Sequence, residues 1–118
     1  MKTLIKNADL ILPDKIMEDG WLASVDGVID DFGSGTLPGG EFDQVVDAKG
    51  EYLSPGFVDT HVHGAMYCDF SDGTKDSILP VMRRQLEGGT TSITPTLTSL
   101  THSQYLKCFE AFNALIPS

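Results

Sequence analysis

Apolar and polar positions alternate over short runs in the first half of the chain and recur at helical spacing in the second. Residues 3–5 and 9–12 read as strands. Residues 21–25 and 28–32 flank Asp26-Gly27, and Asp-Gly between two apolar runs signals a two-residue hairpin, because both central positions of that turn need φ > 0. Gly33-Ser34-Gly35 and Pro38-Gly39-Gly40 have loop composition, and Val45-Val46-Asp47-Ala48-Lys49-Gly50 gives one more short strand ending in a turn.

From Pro55 the pattern becomes strand, loop, helix, strand, helix, the alternation of βα units around a parallel sheet. Residues 57–63 are predicted as a buried first strand. Asp76 or Ser77 can cap a helix reaching Glu87, with Pro80 in its first turn and Ile78, Val81, Met82 and Leu86 on its apolar face. Gly88-Gly89 is a helix end. A second strand over residues 91–94 closes at Pro95. Thr101-His102-Ser103-Gln104 has the form of a capping box, and Tyr105, Leu106, Phe109, Phe112 and Ile116 form the stripe predicted to be buried by the helix behind it. No internal repeat is found.

Charge narrows the partners. Seventeen acidic against eight basic side chains give −9, which disfavours attraction to nucleic acid or to an anionic membrane. Neither is an expected partner. Lys6, Asn7 and Asp9 break the first apolar run before it reaches signal-peptide length, and no segment is apolar enough to span a bilayer. Cys68 and Cys108 lack CxxC spacing, so reduced thiols and a cytoplasmic location are expected. Arg83 and Arg84 read as a solvated helix face rather than a phosphate site.

The candidate chemistry lies in Gly56-Phe57-Val58-Asp59-Thr60-His61-Val62-His63-Gly64. Side chains two apart on a strand share a face. His61 and His63 therefore converge, with Asp59 behind them, while Val58, Thr60 and Val62 face the other way. Two converging imidazoles are candidate metal ligands; the bland reading is a pair of hydrogen-bonded core histidines. Asp59 either fixes an imidazole tautomer or satisfies backbone donors. Asp69 and Asp72 lack the rest of a calcium-loop pattern. The segment 64–74 reads as a small flexible loop, a site border or a mere connector, and His102 as a surface residue.

Pro55-Gly56 before the strand, Asp59 two residues ahead of His61 and Gly64 directly after His63 resemble the opening signature of the amidohydrolase superfamily. Three ordered blocks narrow the likeness: His61-Val62-His63-Gly64-Ala65, then Asp69-Phe70-Ser71-Asp72-Gly73-Thr74, then Gly89-Thr90-Thr91-Ser92-Ile93-Thr94-Pro95-Thr96-Leu97. They look most like the N-acetylglucosamine-6-phosphate deacetylases, most strongly over residues 52–100. The resemblance implies an α/β fold, a (β/α)8 TIM barrel preceded by a small β-sandwich. Such a barrel takes about 250 residues, and 118 are present. The expectation is therefore an N-terminal fragment, with residues 1–54 a partial β-sandwich domain and 55–118 the first two βα units of an incomplete barrel.

The resemblance further implies a metal-dependent amide hydrolase that deacetylates N-acetylglucosamine 6-phosphate to glucosamine 6-phosphate and acetate in amino-sugar catabolism. His61 and His63 would be ligands of a divalent ion, zinc, iron or similar. Some members carry Gln and Asn at these positions and use one ion held by later residues, so the His pair points to a member able to bind here. A Glu, two further His and the catalytic Asp come from later strands in that family, and no residue here matches them. No general base is assigned, and the 118-residue chain alone is expected to be inactive. The expected partner is a small amino-sugar phosphate, and a homo-oligomeric full-length form stays open. Thr94, Pro95 and Thr96 either line the site or only end their strand. The alternatives are another amidohydrolase, dihydroorotase-like or an aminoacylase, or a non-catalytic truncated fragment. Dihydroorotases usually follow His-x-His with an Arg-bearing segment, and Gly64-Ala65-Met66 offers no cation.

Overall fold

Asp26 and Gly27 adopt the left-handed conformation their turn requires, with φ of 50° and 82°. They join β2 (Ile16–Val25) to β3 (Val28–Ser34) as an antiparallel hairpin. The computed structural model describes residues 1–115, and the chain divides into two units, Met1–Pro55 and Gly56–Ser118.

In the first unit the sheet order is β3-β2-β1-β4, where β1 is Lys2–Ile11 and β4 is Gln44–Asp47. A short β5 (Tyr52–Leu53) also pairs with β1. β2 runs antiparallel to β1, whereas β4 and β5 run parallel to it. The two strands expected over 3–5 and 9–12 are one. Its register slips between Ile5 and Ala8, where Asn7 sits at φ 54°, so the chain bulges there instead of breaking. Leu4, Trp21 and Ala23 are buried on one face with Phe42 against them. Residues one position along, Ile5 and Leu22, join Leu10, Ile29, Phe32 and Leu53 around an apolar groove of about 260 Å³.

The second unit contains β6 (Phe57–Val62), β7 (Gly64–Ala65), β8 (Cys68–Asp69), a 3-10 turn at Phe70–Asp72, α1 (Lys75–Glu87), β9 (Thr90–Pro95) and α2 (His102–Asn113). β6 and β9 pair in parallel, the minimal βαβ arrangement. Val62, Phe70, Ile78 and Val81 form the buried core, with Ile93, Leu97 and Phe112 among the side chains packed around it. Full burial of such a side chain contributes about 1.5–3 kcal/mol.

Several expectations need correction. The cap of α1 is Thr74, which accepts from the Ser77 backbone N–H while Ser77 reaches back, so Ser77 is the far half of a capping box. Starting there, α1 carries Pro80 as its sixth residue, past the first turn. Pro80 has no N–H for the Asp76 carbonyl. Ile78 and Val81 are buried as expected, but Met82 and Leu86 are 44% and 64% exposed. α2 begins at the expected capping box, with the Thr101 N–H donating to Gln104 Oε1 at 2.9 Å. It buries a different stripe, however. Cys108 is buried, Tyr105 and Phe112 are half-buried, and Leu106 and Phe109 are about half exposed. Gly73 favours the choice: it is left-handed at φ 62°, and a Cβ there would crowd Cys108 Sγ at 3.0 Å, so glycine suits this close approach. Ile116 lies outside the described residues. The first strand is not buried throughout; Val62 is covered, whereas Phe57 and Val58 are 65% and 69% exposed, since among the described residues of this unit β6 has a single partner strand and the core meets its C-terminal end.

Candidate functional site

Val62 sets the geometry of the pair on either side of it. Its side chain is 7% exposed and faces Phe70, Ile78 and Val81, so period-2 alternation turns His61 and His63 to the open face. Their Nε2 atoms stand 3.2 Å apart, and the rings meet edge to face with centroids at 5.1 Å. Two neutral imidazoles at this distance have two options. One N–H donates to the other ring's lone pair, or both lone pairs turn to a shared point and offer two nitrogen donors to a cation.

Asp59 turns to the backbone. Its Oδ1 accepts the His61 main-chain N–H at 3.0 Å, and the structure gives it no bond to an imidazole. Of the two roles open to it, satisfying a backbone donor is the one seen. Among the described residues no group of three or more His, Cys, Asp or Glu side chains could hold a metal ion. The pair stands as two.

The end of β9 lies beside this pair. Pro95 is the register partner of Val62, and the Thr96 N–H donates to the Val62 carbonyl at 2.8 Å. Thr94 and Thr96 are tied to each other, Thr96 Oγ1 donating to the Thr94 carbonyl at 3.3 Å. His102 is exposed at the start of α2. Arg83 and Arg84 are exposed and border an open groove of about 340 Å³ with Asp76, Leu79 and Glu87.

The segment after His63 is not a loose loop. Gly64 pairs with Asp69 and Ala65 with Cys68, making a hairpin closed by the Phe70 N–H on the His63 carbonyl at 2.9 Å. Phe70 is fully buried and anchors it. Asp69 and Asp72 serve the turn that follows: Asp69 Oδ1 accepts the Ser71 N–H at 2.7 Å, and the Asp69 N–H donates to Asp72 Oδ2 at 3.0 Å. The hairpin tip, Met66-Tyr67, escapes sequence reading because neither residue is a turn former.

The structural neighbours and curated relatives include enzymes of the amidohydrolase superfamily, and several of both groups are N-acetylglucosamine-6-phosphate deacetylases. The Pasteurella multocida deacetylase superposes with a TM-score of 0.83 at 18% identity, over 97% of this chain and 30% of that one. The Mycobacterium smegmatis deacetylase gives 0.78 at 24%, over 96% and 31%. At these identities the likeness is one of fold, and its extent is consistent with an N-terminal portion.

In sequence, the human N-acetylglucosamine-6-phosphate deacetylase is 38% identical over 68 residues, 55% of this chain and 17% of that protein. A 5-methylthioadenosine/S-adenosylhomocysteine deaminase of Syntrophomonas wolfei is 36% identical over 69 residues, 56% and 16% of the two chains. A Staphylococcus aureus dihydroorotase is 31% identical over 116 residues, 91% and 26%. No family model matches the chain. The matches span about a sixth of the length of the first of these curated relatives.

Proposed function

We propose that this chain is the opening part of a metal-dependent amide hydrolase of the amidohydrolase type, acting on N-acetylglucosamine 6-phosphate to release acetate and glucosamine 6-phosphate. The convergence of His61 and His63 at the end of a parallel strand carries this reading. Two imidazole nitrogens bound to one tetrahedral ion at about 2.0–2.1 Å each stand about 3.3 Å apart, and the observed separation is 3.2 Å. The pair fits the group the resemblance implies. When bound, a divalent ion such as zinc or iron polarises an amide carbonyl and lowers the pKa of water.

The residues of this chain do the positioning. Val62, held in the core, fixes the strand on which both rings sit. Asp59 braces the His61 main chain, so it supports the pair without touching a ring. The ends of β6 and β9 meet at Val62 and Pro95, where Thr94 and Thr96 would border a substrate in a complete (β/α)8 barrel. The remaining ligands and the proton-transferring carboxylate would come from later strands. A cytoplasmic, sugar-phosphate enzyme of carbohydrate metabolism completes the reading, with residues 1–54 serving as part of an accompanying β-sandwich.

Dihydroorotase is the second reading, favoured by the 116-residue match to the Staphylococcus aureus enzyme. Against it, the segment following His63 contains no Arg. The test is made on a full-length homologue that contains this sequence. Its metal content and its rates with N-acetylglucosamine 6-phosphate, N-acetylglucosamine, dihydroorotate and N-acetylated amino acids are measured beside His61→Ala/His63→Ala. Acetate release dependent on the phosphate, with less bound metal in the double variant, is expected. Preference for dihydroorotate overturns the substrate, and unchanged metal content overturns the role of the pair.

A further inference from the structure

His61 and His63 are held by different means. His61 lies inside β6, between Asp59 and Val62, which both have register partners on β9, and the Asp59 carboxylate takes its main-chain N–H. His63 lies one residue beyond the end of that strand. The 3.2 Å between the two Nε2 atoms therefore depends on what holds the chain after Val62. Two segments do so: the Thr96 N–H donates to the Val62 carbonyl at 2.8 Å, and the Phe70 N–H donates to the His63 carbonyl at 2.9 Å.

One side chain joins those two segments. The hydroxyl of Ser71, next to Phe70, accepts the Thr98 N–H at 3.0 Å and the Thr98 hydroxyl at 3.0 Å. A closed circuit results, from Val62-His63 across to Phe70-Ser71, across again to Thr98, and back along the chain through Thr96 to Val62. α2 backs the joint on both sides: Cys108 Sγ donates to the Ser71 carbonyl at 3.6 Å, and the Tyr105 hydroxyl donates to the Thr98 carbonyl at 2.9 Å. The arm between His63 and Phe70 is closed at its base, where Gly64 pairs with Asp69, rather than at its tip. There Met66-Tyr67 is left-handed at φ 56° and 61°, a conformation non-glycine residues disfavour, with Met66 beside Leu79 and Pro80.

Resting on the metal-dependent reading above, we propose that Ser71 is a positioning residue for the His pair, its hydroxyl tying the loop after β6 to the loop after β9 and so setting His63 against His61. In a (β/α)8 barrel the loops at the C-terminal ends of the strands build the site, and a bond between two of them fixes one relative to the other. Serine suits the task. Its oxygen has two lone pairs for the two Thr98 donors, and its half-buried place reduces competition from water. Ser71 acts through the main chain of Phe70 and His63. Ligands already held at the separation an ion needs lose less freedom when it binds.

A bond that merely stabilised the fold would leave metal affinity alone, so affinity is the measurement that separates the two roles. In the full-length homologue that contains this sequence, Ser71→Ala should weaken zinc binding about 3- to 10-fold in competition with a chelator, less than the loss of a direct partner of a ligand costs. It should also shift the visible absorption bands of the cobalt-loaded protein. Thr98→Val removes one of the two bonds and should weaken zinc to a smaller extent, while Ser71→Thr keeps the oxygen and should retain most of the affinity. With zinc in excess, kcat of Ser71→Ala should recover and KM for N-acetylglucosamine 6-phosphate should stay near that of the parent. Unchanged zinc affinity and cobalt bands in Ser71→Ala, in a parent whose metal depends on His61 and His63, overturn this assignment alone. Should Ser71→Ala fail to fold, unchanged zinc affinity in Thr98→Val does the same. A parent whose bound metal is indifferent to His61→Ala/His63→Ala overturns the reading of the pair and this one with it.

Discussion

The hairpins β2–β3 and β7–β8 share a two-residue turn and differ in what holds it. At Asp26-Gly27 local preference already favours the turn: one residue tolerates the left-handed region, the other prefers it, and a Cβ on Gly27 would meet nothing within 4 Å; the Asp26 N–H also donates to the Met1 carbonyl at 2.9 Å. At Met66-Tyr67 local preference opposes the turn, and the surroundings impose it. Gly64 packs so closely on β8 that a Cβ there would overlap the Cys68 carbonyl oxygen. Fully buried Phe70 closes the far leg. The first turn is favoured by its own residues, the second imposed by its anchors.

The largest expected effect comes from breaking those anchors. Gly64→Ala forces backbone against backbone and should destabilise the protein by about 3 kcal/mol, read as a shift in the urea midpoint. Gly27→Ala should cost about 1 kcal/mol, the left-handed penalty alone. Equal losses at the two glycines would erase the distinction between the hairpins.

Replacing Met66-Tyr67 by Asn-Gly sharpens the comparison from the other side. Two left-handed penalties are relieved at once, for an expected gain of about 1–2 kcal/mol in the same measurement. A loss would mean that Met66 contributes more against α1 than its φ costs.

This division also explains what was legible in the sequence. Asp26-Gly27 and the Thr101 capping box state their geometry locally, and the alternation of His61, Val62 and His63 needs only the strand period. Thr74, Asp76 and Ser77 are all cap formers, so composition could not rank them; the reciprocal bonding of Thr74 and Ser77 does. The buried stripe of α2 is fixed by Gly73 meeting Cys108 and by Ser71, whose carbonyl accepts from Cys108 Sγ at 3.6 Å and whose hydroxyl accepts the Thr98 N–H at 3.0 Å. Those contacts join residues distant in sequence. Helical spacing alone allowed Leu106 and Phe109 equally well. Asp59 likewise has the right spacing to serve an imidazole, but its oxygen goes to the nearer backbone N–H.

The third turn, Lys49-Gly50, stands between the other two and gives the smallest effect. Lys49 is left-handed at φ 54° without being a turn former, but it is braced: Asp47 Oδ1 accepts its backbone N–H at 3.0 Å and the Asn7 amide at 2.9 Å. The Asn7 side chain first, then the Lys49 N–H, hold the Asp47 carboxyl below its ordinary 3.8. A depressed folded value means the ionised carboxylate favours the folded state. That contribution is present above pH 3.8 and is lost as pH falls through the lower folded value. Asn7→Ala should therefore raise the Asp47 pKa toward 3.8, followed by the carboxyl carbon shift in an NMR titration, and should soften the acid dependence of stability. Because Asp47 is exposed, the change in stability should be small and should shrink further in salt. An Asp47 titration unmoved by Asn7→Ala would show that the Asn7 side chain does not brace this turn.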